Sequence, residues 1–191
     1  MRSGDMHDIA LLSLYTGMRA GEIHALQWGN VDFQNDPLEI LDPKSGRNRM
    51  AFMTPEVKSM LQARFDKQSK NLLVFPGRNG QKRRWVSDNF DRVVTSLGFN
   101  NSGEYKEDEE GTIFPEQITD ARQKVVFHTL RHTFASWLVQ KGVPLYTVAE
   151  LLGHSTIEMT RRYSHLAPNT LKSAAMSISR AVYSQTERTQ A

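Results

Sequence analysis

Within Phe127 to Tyr163, His128, Arg131, His154, the pair Arg161-Arg162 and Tyr163 lie at spacings that turns and short helices can gather. His128 and Arg131 stand three apart in His128-Thr-Leu-Arg131, His154 follows Leu151-Leu-Gly153, and Tyr163 follows Arg161-Arg162. These are the residue types needed to bind a phosphate diester and attack it. Transfer of a phosphoryl group needs an aligned nucleophile, positive charge on the nonbridging oxygens and a proton for the leaving oxygen. A guanidinium suits the second task because its planar fork grips two oxygens and stays charged. Arg19 and Arg131 are the candidates for that clamp, and Lys44 adds a further upstream cation. The set points to phosphoryl transfer without a metal.

Taken singly, each residue has a plainer reading. An arginine is more often a surface or salt-bridge residue, and Lys44 sits where an ordinary turn lysine would. His128 fits a half-buried histidine at a helix start, Glu22 a solvent-facing helix acid, and Tyr163 a packing tyrosine. The phenol of Tyr163, with an ordinary pKa near 10, needs a base or a positive field to become a nucleophile. Arg161, Arg162 and the clamp are the sources of that field. His128 and His132 are four apart, which raises zinc; however, His128-Thr-Leu-Arg-His132 lacks a metalloprotease glutamate, and Arg131 would repel a cation. No metal and no cofactor are expected.

Helices dominate the elements that must position these groups. Asp8 to Tyr15 carries Ile9, Leu12 and Tyr15 on one side and meets a stop at Gly17. A second short helix over Ala20 to Trp28 leaves Arg19 at the junction. Leu38 to Leu41 and Arg49 to Met53 read as strands of a hairpin whose turn, Asp42-Pro-Lys44-Ser-Gly46, bears Lys44. Thr54-Pro55 opens a helix with Val57, Met60, Leu61 and Phe65 inward. Asn71 to Phe75 adds a short strand, and Ser87 caps a helix closed by Gly98. Residues 100–124 hold turn formers and acids with little periodicity, predicting a mobile surface loop. Helices follow from Thr129 to Lys141, from Pro144 to Gly153, from a capping box at Ser155-Thr-Ile-Glu158, and from Asn169 onward. Residues 184–191 read as a polar tail. The fold class is mainly α with a small antiparallel β-sheet.

The chain has 191 residues, 39% hydrophobic and 24% charged, which suits one globular domain over 1–191. Its apolar runs are too short for a bilayer span and no secretion signal is evident, so no membrane partner is expected. An absence of cysteines excludes disulfides and thiolate metal sites and fits a cytoplasmic protein. Net charge is +3, but residues 104–110 contain five acids and one base, so the remainder carries +7. A basic body with one acidic loop is compatible with a nucleic-acid partner.

Taken together, four boxes resemble the tyrosine recombinase (phage integrase) family across nearly the whole chain. Thr16-Gly-Met-Arg19-Ala-Gly-Glu22 resembles its first arginine box, and His128-Thr-Leu-Arg131 its His-x-x-Arg box. Leu151-Leu-Gly-His154 matches the Gly-His box and Thr160-Arg-Arg-Tyr163-Ser-His the nucleophile box. The resemblance implies the family's catalytic-domain fold and site-specific cutting and rejoining of double-stranded DNA, independent of metal and ATP. By this resemblance Arg19 and Arg131 would clamp the scissile phosphate, and Lys44 would protonate the departing 5′-hydroxyl. His128 would assist proton transfer, His154 would hydrogen-bond the phosphate, and Glu22 would orient the site. Tyr163 would attack to form a 3′-phosphotyrosine. A homotetramer on attachment sites is implied, with accessory DNA-bending proteins, in integration or excision of a phage or genomic island. The family's separate DNA-clamping domain is not found before the first box, so the chain reads as the C-terminal part of a longer integrase. The acidic 104–110 segment is expected away from the duplex. Relaxation of DNA in the manner of a type IB topoisomerase and DNA binding without catalysis are the alternatives.

Overall fold

The computed structural model describes residues 3–41, 48–68, 70–77, 80–83, 87–109, 112–120 and 122–168. Lys44, the helix expected from Asn169 and the 184–191 tail lie outside the described residues. The chain groups into two compact units. The first comprises Met1–Phe134 with Leu151–Gly153, and the second Ala135–Glu150 with His154–Ala191.

In the first unit, α1 (Ser3–Thr16) buries Met6, Ile9 and Leu12 and ends at Gly17, whose φ is +66°. Only glycine takes that conformation without cost, and space demands it too. A Cβ at Gly17 would lie 2.6 Å from Phe134 Cδ1 and 3.0 Å from Leu152 Cδ2. Next comes α2 (Ala20–Ala25), six residues long, far below the length at which a helix stands alone. Burial of Ile23 and a carboxylate cap, described below, hold it.

The helix expected to reach Trp28 stops earlier because its chain is drawn into another pairing. Leu26 turns extended, its carbonyl accepts the Val74 N–H at 2.9 Å, and Trp28 N–H donates to the Leu72 carbonyl at 3.1 Å. That bridge is all that forms of the strand expected over Asn71 to Phe75. A single 3-10 turn covers Trp28–Asn30.

Strands β1 (Pro37–Ile40) and β2 (Arg49–Phe52) pair antiparallel, with Leu38 opposite Ala51 and Ile40 opposite Arg49. Helix α3 (Pro55–Gln68) follows Thr54 and buries Val57 and Leu61. Phe65 joins Trp28 and Phe33 in an aromatic group with edge-on contacts at 5.1 and 5.8 Å. Arg64, 8% exposed, lies over the Phe75 ring and pairs with Asp5 at 2.6 Å and Asp8 at 3.0 Å. Arg83 reaches the same Asp5 at 2.5 Å, so α1, α3 and the 80–83 segment share one buried ionic group.

Helix α4 (Ser87–Ser96) buries Phe90 and Val94, and Phe90 meets Phe127 edge-on at 5.4 Å. The loop expected over 100–124 is instead largely a hairpin. Strand β3 (Asn101–Glu107) pairs with β4 (Ile113–Gln117), with an irregularity between Asn101 and Tyr105 where Gly103 has φ +89°. Every residue of β3 after Asn101 is exposed, Tyr105 to 71%, so no alternation of buried apolar residues marks this strand. Asn100, buried, ties off the hairpin base: its Oδ1 accepts the Val125 N–H at 2.8 Å and its Nδ2 donates to the Val125 carbonyl. The acidic cluster at 104–109 is therefore carried mostly on an exposed strand.

Helix α5 (Phe127–Gln140) contributes its residues from Ala135 onward to the second unit. It ends at Gly142, φ +81°, where Gly142 and Val143 N–H groups return to the Val139 and Leu138 carbonyls. In α6 (Leu145–Leu152), the Pro144 carbonyl accepts the first helical bond from Val148. The last described helix, α7 (Glu158–Arg161), does not use the expected capping box. Residues 156 and 157 already turn, and their carbonyls take the Met159, Thr160 and Arg161 N–H groups. The Ser155 hydroxyl lies 3.8 Å from Met159 Sδ instead. Among the described residues no helix is long and apolar enough to cross a membrane.

Candidate active site

Arg19 is the N-cap of α2, extended at φ −74° and ψ 153°, so its side chain leaves the helix axis at the turn after Gly17. Three residues on, the Glu22 carboxylate folds back on it. Oε2 accepts the Arg19 backbone N–H at 2.7 Å, and Oε1 accepts Arg19 Nη1 at 2.9 Å. Glu22 thus satisfies an orphan N–H at the helix start while it fixes the guanidinium. Its side chain is 10% exposed, which rules out the solvent-facing acid.

A second arginine shares that carboxylate. Arg49, on β2, donates from Nη2 to Glu22 Oε2 at 2.8 Å and from Nη1 to the Leu151 carbonyl at 2.5 Å. Arg131, on α5 and 2% exposed, comes within 4.0 Å of Glu22 Oε2. Its two terminal nitrogens donate to the Gly17 and Leu152 carbonyls, each at 2.6 Å. Arg131 therefore bridges the turn that precedes Arg19 and the end of α6. Of these side chains Arg19 is the most open, at 36%, against 9% for Arg49. Three guanidiniums converging on one carboxylate leave this place net positive, suited to an anion such as a phosphate.

Gly153 belongs to the same construction. It closes α6 at φ +64°, and a Cβ there would lie 2.4 Å from Arg49 Cδ and 2.9 Å from Arg49 Nε. The glycine of the Gly-His box is thus required by backbone conformation and by the arginine lying against it.

His128 opens α5 on an exposed surface, its ring meeting His132 edge-on at 4.7 Å. His128 and Arg131 stand three apart on α5, yet His128 is exposed and Arg131 buried. No group of three or more potential metal-ligating side chains occurs among the described residues.

In the second unit, His154 Nδ1 lies 2.7 Å from the hydroxyl of Thr160, which is fully buried. The Thr160 carbonyl also accepts the Tyr163 N–H at 3.0 Å. Tyr163 is 7% exposed and stands where α7 passes into a 3-10 turn, Ser164–Leu166, rather than within a helix. Arg161 and Arg162, expected to lend the phenol a positive field, are both exposed, and Arg161 faces Glu158 at 3.5 Å.

Arg49 and Thr160 escaped the sequence reading. For Arg49 a signal existed: in β2 it shares a face with buried Ala51, and a charged residue on the inward side of a strand needs a partner. For Thr160 none did, since one threonine before a tyrosine has no distinctive spacing.

Comparison with known proteins identifies relatives of the chain. The profile of the phage integrase family matches residues 3–170. The integrase of Salmonella phage P22 is 29% identical over 91% of this chain and 42% of its own length. The tyrosine recombinase XerC of Pediococcus pentosaceus is 32% identical over 87% of this chain and 52% of its own. The chain thus spans about half the length of these relatives. Among solved structures, the catalytic domain of the bacteriophage HP1 integrase superposes with a TM-score of 0.59 at 25% identity, covering 92% of each chain.

Proposed function

The chain belongs to the phage integrase family, and on that premise we propose that it cuts and rejoins double-stranded DNA at specific sites through a tyrosine-linked intermediate. The convergence of Arg19, Arg49 and Arg131 on Glu22 carries this reading, because a buried cationic cluster with one open guanidinium is built for a phosphate. The names of the relatives, integrase and tyrosine recombinase, support it.

In this reading Arg19 and Arg131 neutralise the nonbridging oxygens of the scissile phosphate. The Tyr163 hydroxyl oxygen attacks phosphorus and its proton passes to a base, with His128 assisting. A phosphorus–oxygen bond to tyrosine forms as the bond to the 5′-oxygen breaks, and Lys44 protonates that leaving oxygen. His154 donates a hydrogen bond to the phosphate as charge builds. The new ester conserves the energy of the one broken, so a 5′-hydroxyl can reverse the step without ATP. Glu22 orients the arginines. Integration or excision of a mobile element, a homotetramer on paired sites, DNA-bending helpers and action in the cytoplasm complete the proposal.

The test uses suicide duplexes, nicked beside each candidate phosphate and tiled across the DNA flanking the coding sequence. A protein–DNA adduct resistant to denaturant is expected, insensitive to chelator and absent in Tyr163→Phe. An adduct that survives Tyr163→Phe removes Tyr163 as nucleophile, and cleavage that depends on added metal removes the mechanism.

A further inference from the structure

One small residue in the second unit touches both members of the proposed machinery found there. Thr160 is fully buried, its hydroxyl is 2.7 Å from His154 Nδ1, and its carbonyl accepts the Tyr163 N–H at 3.0 Å. A buried hydroxyl must place its proton on an acceptor, because an unsatisfied polar hydrogen in a dry site costs about 1–3 kcal/mol. Nδ1 of a neutral imidazole is such an acceptor, and accepting there leaves the ring proton on Nε2.

We infer that Thr160 is a positioning residue: its hydroxyl holds His154 in the tautomer that carries its proton on Nε2, and its backbone fixes the start of the turn that presents Tyr163. The inference rests on the recombinase reading and deepens it. A histidine that is to donate to a phosphate oxygen from Nε2 needs that nitrogen protonated and its ring held in one orientation. Water could offer Nδ1 the same hydrogen bond but would not fix the ring. A threonine on the turn leading to the nucleophile does both, so the orientation of His154 and the placement of Tyr163 share one anchor. Thr160 touches no reacting atom in this scheme; it acts through its neighbours.

Two readouts test this. The first needs no DNA: long-range proton–nitrogen NMR of the histidine ring reports which nitrogen carries the proton. In the unmodified protein near neutral pH, His154 is expected as a single Nε2-protonated form. In Thr160→Val, an isostere without the hydroxyl, a mixture of tautomers is expected. The second is the rate of adduct formation on the duplex that traps the unmodified protein. Thr160→Val should slow cleavage about 10- to 100-fold, short of the roughly 10²–10⁴ that general acid–base catalysis supplies in full. DNA affinity should hold, and Thr160→Ser should recover most of the rate. If Thr160→Val does not fold, Thr160→Ala carries the same two measurements.

Unchanged tautomer and rate in the folded hydroxyl-less variant would overturn the inference and leave the recombinase reading intact. A rate loss that Thr160→Ser does not recover also overturns it, since the role would then be packing. Should the unmodified protein form no Tyr163-dependent adduct on any tiled duplex, the recombinase reading itself falls.

Discussion

Glu22 and Arg49, 27 residues apart in the chain, form an ion pair in which Nη2 lies 2.8 Å from Oε2. The contact joins the short α2 helix to strand β2. Because Arg49 also donates to the Leu151 carbonyl, the end of α6 is tied to the same carboxylate. A hub of this kind sets Arg19 and Arg131 around one shared carboxylate, and Arg131 is held further by the Gly17 and Leu152 carbonyls.

A double-mutant cycle should show that Glu22 and Arg49 act together. Arg49→Met leaves a buried carboxylate short of one cation, and Glu22→Gln leaves the arginines short of their shared anion. Breaking one side of a buried pair costs about 3–5 kcal/mol. Residues in direct contact couple by about 0.5–3 kcal/mol, so the double variant should lose less than the sum of the singles. Urea denaturation of the four proteins measures this, and strict additivity would refute the coupling. Adduct formation should fall in both single variants, since the phosphate clamp then loses its frame.

Gly153→Ala should destabilise for two separable reasons. A non-glycine residue at φ +64° costs about 1–3 kcal/mol, and the new methyl would press on Arg49 Cδ, 2.4 Å from the ideal Cβ position. In an Arg49→Ala background the second cost vanishes and the first remains. The drop in urea midpoint caused by Gly153→Ala should therefore be smaller there than in the parent protein. Equal drops in both backgrounds would show that the arginine does not crowd this glycine.

How much of this was legible in the sequence depended on whether a signal was local. Helix stops at Gly17, Gly142 and Gly153 were readable because positive φ selects glycine, and the β1–β2 pairing because its two runs flank the turn-forming sequence Pro-Lys-Ser-Gly. The β3–β4 hairpin was not, since β3 is exposed on both of its sides after Asn101 and nothing there selects apolar residues at alternate positions. Within the candidate site, Arg19 and Arg131 stood out inside recognisable boxes. Arg49 did not, because its partners Glu22 and Leu151 are 27 and 102 residues distant and only folding brings them to it. Thr160 was hidden for a related reason: its importance lies in which ring nitrogen it meets.

Acidification should weaken the fold in a window set by His24. Burial, and then the charge of Arg83, push its pKa from 6.5 down to about 4, with Lys82 adding to the effect and a backbone hydrogen bond at Arg83 opposing it. The folded chain therefore holds His24 neutral while the unfolded chain binds a proton below about 6.5. Stability is complete above that value and falls as pH drops toward 4, by an amount on the order of 3 kcal/mol. Urea unfolding at pH 7 and pH 4.5 measures the fall, which should shrink in His24→Leu. A slope unchanged by that substitution would mean that other groups govern the window.

Below that range a second group takes over. Burial favours the neutral acid at Asp5, but hydrogen bonds from Arg64 and Arg83, with their charges, outweigh it and hold its pKa below the ordinary carboxylate value of 3.8. A carboxylate depressed in the folded state contributes stability above its unfolded pKa and loses it as pH falls through the folded one. Asp5→Asn should cost stability at pH 7, where two arginines lose their shared anion at 2.6 and 2.5 Å. The difference between variant and parent should narrow below pH 3.8 as Asp5 of the parent becomes neutral. Denaturation midpoints compared at pH 7 and pH 3 decide it: a difference that stays constant between them would show that Asp5 stabilises through packing rather than through its charge.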